Sequence, residues 1–225
     1  TDVYLKCNNY QSGYIFNVNN ACTITKMTFE GVRTGLVRGM VRLQSATINI
    51  TDFLIDNSII DSVRDYGVVV VDNVLCKIEN IAIRNSTILR AEKVITSRQN
   101  STSCLIENCT INQAPAGGNY LIDYSTAGTN IVTNGIIVRN TIMGVGKNNA
   151  GSTTPRGVRA NAATTVSSSN VYTTSDYVNQ SNPLPTVIAY PGLSTTLWQD
   201  PLNGNFKIKD NTFAGATSAG DPRWR

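Results

Sequence analysis

Four charged residues lie at the third or fifth place of the segments Met40-Val41-Arg42-Leu43-Gln44, Val68-Val69-Val70-Val71-Asp72, Val94-Ile95-Thr96-Ser97-Arg98 and Leu121-Ile122-Asp123-Tyr124-Ser125 when these are aligned on their apolar pairs. Arg42, Asp72, Arg98 and Asp123 then face outward on one stripe, and Arg159 in Arg156-Gly157-Val158-Arg159 extends it. Planar guanidinium groups grip carboxylates with two hydrogen bonds, and Tyr124 beside the stripe offers a ring for stacking. That chemistry suits an acidic sugar polymer. The competing reading is an ion-pair face that binds nothing. The same residues suit a lyase acting on uronic acids, which needs an Arg or Lys base and a neutralised sugar carboxylate. Arg98 with Arg42, near Asp72, Glu92 and Asp123, would form that assembly. Calcium would enter only in that case.

Other chemistries lack their groups. The chain has no histidine, which removes imidazole-dependent triads and the mixed ligand sets of zinc sites. No Gly-rich phosphate loop opens a helix. Glycoside hydrolysis requires two carboxylates about 5–9.5 Å apart, and Asp61, Asp65 and Asp72 do not establish such a pair. No catalytic residue and no metal ligand set is assigned, and no cofactor is expected. A net charge of +4, scattered without a Lys/Arg block, gives no nucleic-acid footprint. No run approaches the roughly 20 apolar residues of a membrane span.

What positions the stripe is a recurring phrase: apolar, charged, Asn, small, any, apolar. It appears at Ile55–Ile60, Ile83–Ile88, Ile106–Ile111 and Val138–Met143, and more loosely at Ile208–Phe213. Its asparagines are spaced by 28, 23, 32 and 71 residues, and Phe29-Glu30-Gly31 fits one step earlier. Such spacings signal stacked repeats that bury apolar surface only against their neighbours. The shortest unit has no room for a helix and two strands. Short strands joined by tight turns fit, winding into coils about 4.8 Å apart. The sequence therefore predicts an all-β, single-stranded, right-handed parallel β-helix of about seven coils. Asn tolerates the left-handed conformation at the turn, and its amide can bond its equivalents in a ladder. The residues before it, Glu30, Asp56, Arg84, Glu107 and Arg139, read as a structural ladder of charges.

One domain over 1–225 is expected: regular coils to 143, a loop-rich excursion over 144–205, and a last coil with a C-terminal cap over 206–225. Tyr172, Tyr177, Tyr190 and Trp198 in the excursion read chiefly as pins against the coil's flank. Coil is expected to resume at Asn205-Phe206-Lys207-Ile208, with Pro222-Arg223-Trp224-Arg225 closing the end of the stack. Of five cysteines at least one is unpaired. Cys109 falls in the column of Ser58, Ser86 and Thr141 and reads as a small buried thiol, whereas Cys7 and Cys22 stay open between a disulfide and free thiols.

The coil pattern resembles the pectate-lyase-like β-helix superfold. More closely, Val41–Gln44, Ile55–Ser62, Tyr66–Asn73, Glu92–Asn100, Asn119–Tyr124, Tyr172–Tyr177, Leu197–Pro201 and Phe213–Trp224 are similar to a β-helix domain family of Bacteroidota. Members of that family sit in exported, often lipid-anchored proteins associated with polysaccharide utilisation. The resemblance implies export to the cell surface or periplasm, a membrane contact only through an upstream lipid anchor, and plant or algal acidic polysaccharide as partner. A monomer that binds or presents polysaccharide without catalysis is the leading expectation. A polysaccharide lyase and a purely structural spacer are the alternatives. The Gly-His-Gly and paired aspartates of polygalacturonases are missing, as is the Arg-x-Pro-x-x-Arg run of pectate lyases.

Overall fold

Each coil of this chain contributes short strands to three parallel faces. A computed structural model describes residues 3–6, 13–124 and 129–225. On the first face Cys22–Glu30, Ile48–Asp56, Cys76–Arg84, Ser103–Glu107, Ile136–Met143 and Val166–Thr173 stack in order. These six strands define a parallel β-helix of about six turns, one fewer than the sequence suggested. The charge-bearing column runs Glu30, Asp56, Arg84, Glu107, Arg139 as expected, and ends at Ser169. Glu107 sits 3.4 Å from Arg84 and 2.6 Å from Arg139. Both arginines are more than two-fifths exposed, so each pair is worth about 0–1 kcal/mol.

The turn asparagines behave as their chemistry requires. Asn57, Asn85, Asn108, Asn140 and Asn170 all have φ between 46° and 52°. The amide ladder forms in pieces: Asn108 donates to Asn85 and Asn170 to Asn140, both at 2.9 Å, while Asn85 donates to Asp56 Oδ1 instead. Behind each corner the small residues form a second, buried ladder. Ser58, Ser86, Cys109 and Thr141 each donate to the carbonyl two residues earlier, and the Ser86 hydroxyl accepts from Ser58 N. Alanine at position 108 would force an ordinary residue into the left-handed region and remove the amide bond. We expect Asn108→Ala to cost about 1–2 kcal/mol. Asn108→Gly should cost less, because glycine removes only the bond. Urea midpoints of the two variants check this order.

Asn170 marks a corner the sequence did not suggest. The expected excursion contains Arg156–Arg159 on the third face and Val166–Thr173 on the first, both in parallel register. Ser168 takes the inward place held by Val138 one turn earlier, so the strand reads as a loop. The substitution is accommodated because Ser168 Oγ donates to the carbonyl of Thr186 and accepts its amide. The expected last coil is also different. Asn205–Ile208 pairs antiparallel with Trp198–Asp200, forming a hairpin outside the stack. Asn211 therefore lies in a turn after the hairpin and not in the ladder.

The C-terminal segment does not close the end of the stack. It runs down the flank over the Asn corners. The carbonyl of Ser218 accepts from Asn170, Gly220 N donates to Asn140 O, Arg225 reaches Asn108 and Arg223 reaches Asn57. Gly220 has φ +82°, and a Cβ there would stand 2.9 Å from Ile142 Cδ1. Strand alternation gives no such geometry, since every contact is long-range. The core itself is continuous: Phe53, Ile55, Ile81, Ile83, Ile106 and Val138 stack at 0–1% exposure. A second cluster joins Trp198 and Phe206 to Leu89 and Ile142. Tyr172, Tyr190 and Trp198 are buried there as pins.

Candidate functional site

The third face carries the charged stripe. Its strands are Tyr14–Val18, Val37–Leu43, the latter part of Ile59–Val71, Ile95–Ser97, Tyr120–Asp123 and Arg156–Arg159. The register aligns Asn17, Arg42, Val70, Thr96, Asp123 and Arg159. Asp72 and Arg98 are two residues further on, where Asp72 N donates to Leu43 O and Arg98 N to Val71 O. The four expected residues thus occupy two columns, not one. Because the side-chain period is two, an even offset keeps all of them on the same outward face.

The structure brings these groups into contact across turns. Asp72 accepts from Arg42 Nη2 at 2.6 Å and lies 3.3 Å from Arg98 Nη2. Asp123 is gripped by Arg159 through two bonds of 2.7 and 2.8 Å. That carboxylate holds the Arg159 guanidinium above its usual pKa. Arg42 also donates to Tyr14 Oη at 2.8 Å, and its guanidinium lies 3.7 Å from the centre of the Tyr66 ring. Arg159 and Arg156 pack on Tyr120 at 4.5 and 5.4 Å. Cation–π contact and paired hydrogen bonds hold these guanidinium groups in fixed orientations.

Tyr124 is the correction. It follows the outward Asp123, so alternation turns its ring inward, where it is 0% exposed. It cannot stack on an external ring. The aromatics that do border the stripe are Tyr14, Tyr66 and Tyr120. Tyr14 and Tyr120 open their strands and Tyr66 precedes Gly67 within its strand, positions where apolar alternation gives them no signal.

Two adjoining hollows follow this face. One, of about 370 Å³, is lined by Asp65, Tyr66, Asp72, Lys93, Thr96, Arg98 and Asp123. The next, of about 300 Å³, shares Lys93, Thr96 and Asp123 and adds Tyr120, Arg156 and Arg159. Together they make one polar groove along the coil axis. Lys93 was not singled out in the sequence, yet it stands at the junction. Among the described residues neither Lys93 nor Arg156 has an ion-pair partner. Arg98 is 53% exposed and shares Asp72 with Arg42. A larger hollow of about 480 Å³ on another flank is lined by Tyr172, Tyr190 and Phe213 with Asp210, and it gathers far fewer charged groups.

The carboxylates in and around the groove are each engaged by a cation. Asp65 is engaged by Arg38, Asp61 by Arg90 and Glu92 by Lys147. Of the residues proposed for a lyase, Arg98 and Arg42 share Asp72, whereas Glu92 is held by Lys147 and Asp123 by Arg159. Burial pushes the Cys104 and Cys109 thiols up to about 12, which leaves them poor nucleophiles. Cys22, Cys76, Cys104 and Cys109 are free; the Cys7 half of the considered pairing lies outside the described residues. Among the described residues no group of three His, Cys, Asp or Glu side chains is arranged to hold a metal ion.

Fold and site together define a parallel β-helix with a charged, arginine-lined groove on one face. The model of the domain of unknown function DUF5123 matches residues 104–224, more than half of the sequence, and the chain belongs to that family. The match spans the later turns, the hairpin and the C-terminal strap. No curated protein and no solved structure matches the chain.

Proposed function

We propose that this domain binds acidic polysaccharide in the groove of the third face and does so without catalysis. The observation that carries this reading is the groove's charge. Arg38, Arg42, Lys93, Arg98, Arg156 and Arg159 line or back it, against Asp65, Asp72 and Asp123. The excess of cations favours a polyanion, and a shallow open trough suits a chain rather than a compact metabolite. Oriented guanidinium forks suit carboxylates. The resemblance of the sequence to exported β-helix proteins supports the same reading, with the domain acting at the cell surface or in the periplasm. A monomer suffices for it, since the groove is built from one chain.

Calorimetric titration with polyuronates, alongside a neutral glucan, tests the proposal. Binding should be confined to the acidic polymers and should weaken with salt. The double variant Lys93→Met, Arg98→Met should lose roughly tenfold or more in affinity, as expected for charge-assisted bonds. Its melting curve should be unchanged, because neither residue holds the stack together. Absence of binding to every uronic-acid polymer would overturn the reading. Appearance of unsaturated-product absorbance during the titration would replace it with a lyase.

A further inference from the structure

The groove carries a repeat distance. Ile95 pairs with Val69 and Ile122, and Tyr120 pairs with Arg156. Counting back two residues from Ile95 puts Lys93 level with Gly67 on one side and Tyr120 on the other. Gly67 is paired in turn with Gly39, and Gly39 with Tyr14. One column therefore reads Tyr14, Gly39, Gly67, Lys93, Tyr120, Arg156. Its two unpaired cations are separated by one tyrosine and stand two rungs apart, about 9.6 Å by the spacing of parallel strands.

The surroundings fix these positions. Gly67 has φ +78°, and a Cβ there would lie 2.8 Å from the Lys93 Cβ, so the lysine stem occupies space that glycine leaves. Arg156 is held from behind by Gln180, which accepts from its Nε at 3.0 Å, and from below by the Tyr120 ring. Its remaining N–H groups are left for an acceptor. Arg42 and Arg159, by contrast, already have their carboxylates in Asp72 and Asp123. Among the described residues Lys93 and Arg156 are the groove cations without an ion-pair partner, whereas Arg98 shares Asp72 with Arg42; Lys93 and Arg156 both border the 300 Å³ hollow.

We infer that the groove selects an acidic polysaccharide whose carboxylates recur on one side at the length of a disaccharide, with one carboxylate on Lys93 and the next on Arg156. This inference rests on the polysaccharide reading above and narrows it. Two rungs match one disaccharide step of an extended chain. The sugar between the two acidic units lies over Tyr120. A strictly alternating copolymer of uronic acid and neutral or N-acetylated sugar meets this demand. So does a homopolymer in a two-fold ribbon, where alternate carboxylates face the same way.

Defined oligosaccharides test the spacing. The probes are a glucuronate–N-acetylglucosamine disaccharide with one carboxylate and the tetrasaccharide with two, each followed by chemical-shift titration. Wild type should hold the tetrasaccharide roughly tenfold or more tighter than the disaccharide. Arg156→Met should abolish that difference and leave the disaccharide unchanged, whereas Lys93→Met should weaken both. Arg156→Lys should restore part of the preference, which a merely structural role would not do. Equal weakening of both ligands by Arg156→Met, or no effect on either, overturns the inference. If wild type binds neither probe and no polyuronate, the broader reading falls as well. If it binds polyuronates without dependence on Arg156, only the spacing falls.

Discussion

Asp221→Ala should lower the unfolding free energy by about 1–3 kcal/mol, because removing this buried acceptor strands the Thr87 hydroxyl and the Arg223 amide. The carboxylate is 1% exposed. It accepts from Thr87 Oγ1 at 2.7 Å, Arg223 Nη1 at 2.9 Å and Arg223 N at 3.0 Å. Its own amide donates to Thr110 Oγ1, and Trp224 Nε1 donates to the same Thr87 hydroxyl. One side chain therefore ties the C-terminal strap to two turns of the stack. Without it, Arg223 keeps Asn57 but loses its counter-charge, and Thr87 loses its acceptor. Urea unfolding followed by circular dichroism measures the loss. A change below 1 kcal/mol would show that the strap is an accessory.

The same carboxyl gives a pH signature. Burial pushes its pKa above the ordinary carboxylate value, more than the nearby guanidinium groups pull it down. The folded state therefore holds the proton more tightly than the unfolded chain. Between the ordinary value and the raised one, stability from this group falls as pH rises and returns as pH falls. Asn cannot titrate, so wild type should gain stability relative to Asp221→Asn as the solution is acidified through that window. A difference between the two that stays constant with pH would contradict the burial argument.

Much of the solenoid is legible in the residues. The phrase around Asn57, Asn85, Asn108 and Asn140 names the corners because only a few residue types accept a positive φ. The charges before them align because one residue stands at the same place in each coil. Such local, repeated demands leave a mark in the sequence. Phase on the third face does not. Val68–Val71 contains four apolar residues in succession, so alternation cannot say which of them faces inward. The alignment on apolar pairs nevertheless falls in the observed register, with Val41, Val69, Ile95 and Ile122 level, and the four charges stand two places apart on one outward face.

The strap and hairpin were opaque for a different reason. Asp221 meets Thr87 across 134 residues and Arg223 meets Asn57 across 166, with no period to reveal either contact. The groove's Lys93 was hidden too. It sits just before an apolar run, carries no partner that a motif would name, and gains its role only when Gly67 and Tyr120 are brought beside it. Zero histidine is visible without coordinates and removes imidazole-dependent chemistry from the outset.

Trp198→Ala should cost a further 3–5 kcal/mol, the range for removing a buried large aromatic. Its indole is 0% exposed and meets Phe206 edge-on with ring centres 5.0 Å apart. A Cβ on Gly144 would stand 2.7 Å from the indole, so the ring is seated against the backbone of the fifth turn. Phe206 in turn contacts Trp224 of the strap at 5.9 Å. The hairpin and strap are therefore one cover, joined through aromatic contacts and laid over the second cluster of the core. Residues acting in one cover should not lose stability independently. The double variant Trp198→Ala, Asp221→Ala should fall short of the sum of the single losses by 1 kcal/mol or more, on the order of couplings between contacting groups. Additive losses would mean that the hairpin and the strap dock separately. Polyuronate binding at a temperature where the single variants remain folded should be retained, since neither residue lines the groove, and its loss would tie the cover to the binding face.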